Sequence, residues 1–85
     1  MKRELYPMYD SAKSFYGKAI LEIEDGTMTL YSYCTKVAEV DTDMRTAKVF
    51  GTYSATTLRH IKEFLKQAGY EAKNKSQIEK KYMVC

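Results

Sequence analysis

"AILEIEDGTMTLYSYC", residues 19–34, decides how this chain begins to fold. Two alternating runs flank Asp25-Gly26. In the first, which reaches back to Tyr16, one face takes Gly17, Ala19, Leu21 and Ile23, and the other takes Tyr16, Lys18, Ile20 and Glu22. In the second, Met28, Leu30, Ser32 and Cys34 oppose Thr29, Tyr31, Tyr33 and Thr35. A two-residue period is that of a strand with one packed face and one wetter face. Asp-Gly between two such runs is the strongest short-range hairpin signal, because a type I′ turn needs positive φ at both central residues. The stretch therefore reads as an antiparallel hairpin. With no helix between the two strands there is no βαβ crossover, and doubly wound nucleotide-binding folds are excluded.

Working outward, the first strand belongs to "FYGKAILEIE" (15–24), and "KVAEV" carries the second run on to Val40, as one bent strand or two short ones. "DTDMR" reads as a turn whose Asp and Thr side chains can bond their own backbone. "TAKVFGTY" (46–53) is a further strand, with Gly51 a candidate bulge. Then the period lengthens. At about 100° per residue, Thr57, Leu58, Ile61, Phe64, Leu65 and Ala68 fill one arc of a helical wheel. Arg59, Lys62, Glu63 and Lys66 fill the opposite arc, which is expected to face water. Ser54 or Thr56 can accept the unpaired amides of the first turn, and Gly69 supplies a left-handed stop, which predicts the main helix over 55–69. Ser76 with Glu79 three residues on resembles a capping box and opens a short helix over 76–83, where Ile78 and Tyr82 share a face. "YEAKNK" between the helices is a short strand or a linker. Residues 1–14, with the sole proline Pro7 and no clear period, read as an extended arm that Tyr6 and Tyr9 tack to the body. The expected fold is one α+β domain over 1–85. It has a three- to four-stranded antiparallel meander sheet over 15–53, one long amphipathic helix packed on one face, and a short C-terminal helix.

Composition bounds the function. Eighty-five residues give volume for one core, with 45% hydrophobic and 29% charged residues, as in an ordinary folded domain. No apolar run is long enough to cross a membrane, and no signal peptide pattern opens the chain. Cys34 and Cys85 read as free thiols in a reducing cytoplasm. Two cysteines and one histidine fall short of a zinc site, and "DTD" at 41–43 lacks the ligand count calcium needs, so no metal and no cofactor are expected. The charge is uneven: residues 1–58 carry seven Lys/Arg against eight Asp/Glu, and residues 59–85 carry seven against three. The C-terminal third thus presents a positive field, which suits phosphate or an acidic protein surface but is also an ordinary solvated helix face.

The candidate sites follow from these elements. His60, beside Arg59, sits at the boundary of the buried arc. As a general base it needs an orienting acceptor and a nucleophile within hydrogen-bond reach. No spacing supplies them, and a histidine that bonds a strand carbonyl is the better reading. Thr56 and Thr57 mark the helix start, where free amides and Arg59 together could hold an anion. Arg59, Lys62 and Lys66 form a basic stripe for weak, salt-sensitive nucleic-acid contacts, blunted by Glu63 within it. Tyr16, Tyr31 and Tyr33 could line one sheet face to stack bases, to pack under the arm, or to meet a protein partner. No catalytic set emerges, so an enzyme is not expected.

Three stretches together suggest a relationship: SFYGKA (14–19), SYCTKVA (32–38) and YSATTLRH (53–60). They resemble a family of small, functionally uncharacterised proteins carried by phages and mobile elements of Firmicutes and related gut bacteria. The shared pattern is an early Ser-Phe-Tyr-Gly-Lys-Ala run, a Ser-Tyr-x-Thr-x-Val-Ala strand, and Tyr-Ser-x-Thr-Thr-x-Arg-His at the helix start. The likeness covers about residues 9–70. It carries no catalytic or ligand residues across. What it implies is a bacterial host cytoplasm and a short accessory gene, of the kind whose products block a host enzyme or defence complex such as a CRISPR effector. The resulting expectation is a non-enzymatic macromolecule-binding accessory protein with a host protein or protein complex as its partner. The alternative is a nucleic-acid-binding module using the basic C-terminal third. Exposed strand edges leave a homodimer open.

Overall fold

A computed structural model describes residues 1–10, 13–52 and 54–83 of the chain. Five strands, β1 (Lys2–Glu4), β2 (Ala19–Glu24), β3 (Thr27–Ser32), β4 (Thr35–Asp41) and β5 (Thr46–Val49), lie side by side in chain order in one sheet. Every pairing is antiparallel. The helices α1 (Ala55–Gln67) and α2 (Lys75–Lys81) follow. The Asp25-Gly26 turn has the backbone its sequence demands: φ is 48° and 81°, and Glu24 pairs with Thr27 across it. Glycine suits the second position best. A Cβ there would stand 2.8 Å from the Asp43 carboxylate, and the positive φ disfavours any side chain.

Two features overturn the expected three- to four-stranded sheet with one long amphipathic helix. First, the arm is part of the sheet. Lys2, Arg3 and Glu4 pair with Glu22, Leu21 and Ile20, giving a fifth strand that three non-alternating residues could not announce. The run from Met28 to Val40 also divides, at a two-residue turn of Tyr33 and Cys34, both with positive φ. Second, α1 is a helix of 13 residues, and its buried set includes Thr57, His60 and Glu63 beside Ile61, Phe64 and Leu65. It is not divided into one apolar side and one wet side, because the arm covers part of the side assigned to water.

Local chemistry sets the helix limits. Ser54 is the N-cap of α1, its side chain accepting from the Thr57 amide at 3.2 Å. At the far end the Gly69 amide bonds the Lys66 carbonyl and the Tyr70 amide bonds the Leu65 carbonyl. With Gly69 at φ 91°, this is a Schellman closure, which stops the helix at Gln67 and not at 69. Helix α2 starts earlier than the Ser76–Glu79 pair suggests. Asn74 is its cap, accepting from the Gln77 amide, while Gln77 Oε1 accepts from the Lys73 amide.

The core lies between sheet and helices. Leu21, Leu30, Val37, Ala38, Val40 and Val49 meet Ile61, Phe64, Leu65 and Ile78. Such aliphatic and aromatic side chains contribute about 1.5–3 kcal/mol each on burial. A register shift helps: Leu30 pairs with Ala38 but Tyr31 with Lys36, so Val37 is an extra residue and both Val37 and Ala38 are buried. The last strand is tied to the C-terminal segment by a Val49–Tyr82 backbone bond and a parallel bridge to Met83.

Candidate functional site

The end of the sheet where β3 meets β4 gathers most of the polar side chains of interest. Ser32, the last residue of β3, faces α1, and its Oγ lies 2.8 Å from His60 Nδ1 and 3.0 Å from Thr57 Oγ1. Ser54 Oγ donates to Thr57 Oγ1 at 3.3 Å. Taken in that direction, each hydroxyl passes one hydrogen along the chain from Ser54 to Thr57 to Ser32. Nδ1 is then the acceptor, and this orientation assigns the ring proton to Nε2. His60 is 1% exposed, with the Phe15 ring edge-on at 4.5 Å and the Tyr33 ring at 5.9 Å. It is therefore fully buried, and its partner is a strand hydroxyl in place of the expected strand carbonyl. Burial holds its pKa below the ordinary 6.5, Arg59 and then Lys18 push in the same direction, and Asp10 opposes them. This network ties helix to sheet through groups that would be costly to bury unpaired.

Alongside runs a strap. Glu63, assigned to water on the helical wheel, is 1% exposed. Its Oε1 accepts the backbone amides of Tyr9 and Asp10 at 2.9 and 3.0 Å, and Oε2 accepts from Gln67 Nε2 at 2.6 Å. Gln67 also donates to the Tyr6 carbonyl. Arg59 donates through Nε and Nη2 to the two carboxylate oxygens of Asp10, which raises the guanidinium pKa further by hydrogen bonding and charge. Three helix residues at spacing four thus hold one face of the arm, and the helix covers what the arm would otherwise expose.

The third feature is aromatic. Tyr16 and Gly17 form the centre of a turn closed by a Lys18-to-Phe15 backbone bond, both with positive φ, and Tyr33-Cys34 forms another. The two turns are joined where the Tyr33 amide donates to the Lys18 carbonyl at 2.9 Å. Tyr16 is 80% exposed and Tyr33 48% exposed, with Lys18 Nζ 5.5 Å from the centre of the Tyr33 ring. A left-handed backbone costs a residue with a side chain about 1–2 kcal/mol. Here that cost falls on two tyrosines presented to solvent, one of them standing over the buried histidine.

The expected site residues separate into distinct places. Thr57, His60 and Tyr33 converge in this node. Thr56 is exposed and is not the cap, since Ser54 holds that role. Tyr31 is half-buried on the outer sheet face, 3.5 Å from Glu22, and does not share a face with Tyr16 and Tyr33. Of the basic stripe, Arg59 is bound to Asp10, Lys62 is half-buried, and Lys66 is exposed. Cys34 is a free, exposed thiol at a turn, not a residue of the packed strand face; Tyr53 and Cys85 lie outside the described residues. Ser32 and Glu63 were missed as polar partners. The alternation did place Ser32 on the core face, so a hydroxyl there asked for a partner; Glu63 carried no such signal.

Among the described residues no group of three or more His, Cys, Asp or Glu could hold a metal ion, and no helix is long and apolar enough to cross a membrane. The model of a family of unknown function, DUF8033, matches residues 3–81, so the chain belongs to that family. No curated protein and no solved structure matches it.

Proposed function

We propose that this member of the family is a non-enzymatic binding protein that acts in a bacterial cytoplasm by occupying a surface of a partner protein. The observation that carries the reading is the pair of tyrosines, Tyr16 and Tyr33, presented to solvent on backbone conformations that disfavour them. Unfavourable conformations kept at exposed positions mark residues retained for something other than stability. Tyrosine offers a large rigid ring and a polar tip, the combination favoured at contact surfaces, and Lys18 beside it supplies charge. The resemblance to phage and mobile-element proteins supports a host protein as the partner, of the class that a defence complex such as a CRISPR effector represents. Nucleic-acid binding through the basic third is the weaker reading, because Asp10 occupies the guanidinium of Arg59.

The test compares the wild-type chain with Tyr16→Asn and Lys66→Glu as affinity baits in lysate of a bacterial host. A discrete protein held by wild type and Lys66→Glu but lost by Tyr16→Asn is the expected result. Retention by Tyr16→Asn, or retention of nothing but salt-labile nucleic acid, overturns the reading.

A further inference from the structure

Among the described residues, the sheet edge at β1 is unpartnered along all three of its residues. At the opposite side, the Val49 amide is taken by the Tyr82 carbonyl and Met83 bridges Val49. Among the described residues no strand lies beyond β1. Its backbone phase is fixed by bonds to β2. Met1 N donates to the Ile23 carbonyl, the Ile23 amide to the Met1 carbonyl, and the Leu5 amide to the Ala19 carbonyl. Odd-numbered residues therefore bond inward, and the antiparallel alternation turns the N–H and C=O of Lys2 and Glu4 out to the free edge. Such an edge is a template for another strand unless something blocks it.

We propose that the strand which completes it is β1 of a second copy of this chain, paired antiparallel about a two-fold axis at Arg3. The outward backbone groups at Lys2 and Glu4 allow only registers that set even residues opposite even ones. Of those, centring on Arg3 sets Lys2 opposite Glu4 of the partner subunit, and Glu4 opposite Lys2 of the partner subunit. Centring on Lys2 or on Glu4 would set like charges face to face on the axis with no opposite-charge pair beside them to offset the repulsion. The same register brings Met1 of the partner subunit opposite Leu5. There an open groove of about 480 Å³ is lined by Arg3, Glu4, Leu5, Tyr6, Met8 and Gln67. Met1, Tyr6 and Met8 are all exposed large apolar side chains concentrated at this edge, and the pairing covers them. A two-fold contact is self-complementary, as the Lys2–Glu4 exchange is. The one like-charged pair is Arg3 against its symmetry mate on the axis.

Sedimentation equilibrium on the full chain tests this. The wild type is expected to dimerise, Arg3→Thr to dimerise more tightly, and Lys2→Glu and Glu4→Lys each to weaken the dimer by about tenfold or more. Because the first of these variants carries Glu at both positions and the second Lys at both, mixing them is expected to restore an affinity that neither reaches alone. Lys2 also lies 3.7 Å from Glu22 and Glu4 accepts the Gly17 amide, so circular dichroism must show each variant folded. Should one not fold, amide exchange in the wild type decides: the Lys2 and Glu4 amides become protected as concentration rises. A wild-type chain monomeric at about 1 mM overturns the proposal. So do a dimer indifferent to both charge reversals and a dimer whose Lys2 and Glu4 amides exchange as in dilute solution.

Discussion

His60 is the only histidine in the chain, so its titration can be followed without overlap. The neutral ring accepts from Ser32 at the end of a chain of hydroxyls; a protonated ring would need Ser32 to turn and accept instead, breaking that sequence of donors. Burial, Arg59 and Lys18 disfavour the cation further, outweighing Asp10. The folded pKa therefore lies below that of the unfolded chain, near 6.5. Between those two values the unfolded state binds more protons than the folded state, so stability rises with pH. The contribution is whole above about 6.5 and is lost as pH falls toward the folded value, at about 1.4 kcal/mol per unit of separation. Imidazole NMR is expected to give a midpoint below 6.5, and urea unfolding at descending pH a matching loss. A midpoint at or above 6.5 would contradict the buried, hydroxyl-bonded ring.

At the scale of elements, the turns separate what stabilises from what the surface displays. Tyr16-Gly17 has positive φ at both positions, the conformation that Asn-Gly adopts most readily, and Cys34 at φ 69° is where glycine costs nothing sterically. Tyr16→Asn and Cys34→Gly are each expected to stabilise the fold by about 0.5–1 kcal/mol. That corresponds to a rise in Tm of about 2–8 °C for a domain of this size. Calorimetry checks the shift, and unchanged or lowered Tm in both variants would show that these backbones carry no strain. The same contrast explains what could be read beforehand. The turn at Asp25-Gly26 announces itself because its residues are those the backbone wants; Tyr33-Cys34 adopts a similar positive-φ turn without the residues that signal it, so the sequence is equally compatible with one bent strand or two short ones there. Gly69 signalled a helix stop, and the closing bonds drew the end back to Gln67. Glu63 could not be placed by a helical wheel, which describes one helix in water. Its ligands are the amides of Tyr9 and Asp10, more than fifty residues earlier in the chain.

For the whole molecule the consequence is that residues 1–10 are structural, although their sequence has no period to say so. They supply β1, the buried side chain of Leu5, and both amides that accompany Glu63 in its enclosure. Removing them loses about 1.5–3 kcal/mol for Leu5 alone. It also strips two donors from a buried carboxylate, which costs about 1–3 kcal/mol or more where water does not replace them, and uncovers the β2 edge. Domains of this size hold about 5–15 kcal/mol in total. A chain lacking residues 2–10 is accordingly expected to lose its cooperative unfolding transition and the dispersion of its amide NMR spectrum, while keeping helix and strand signals in far-ultraviolet circular dichroism. Deleting an ornamental arm would cost under about 1 kcal/mol and leave the transition sharp. That outcome would mean the Glu63, Arg59 and Gln67 contacts hold the arm without the body depending on it. The body would then have to solvate Glu63 and close the flank of α1 by itself, which the burial of that carboxylate between helix and arm argues against.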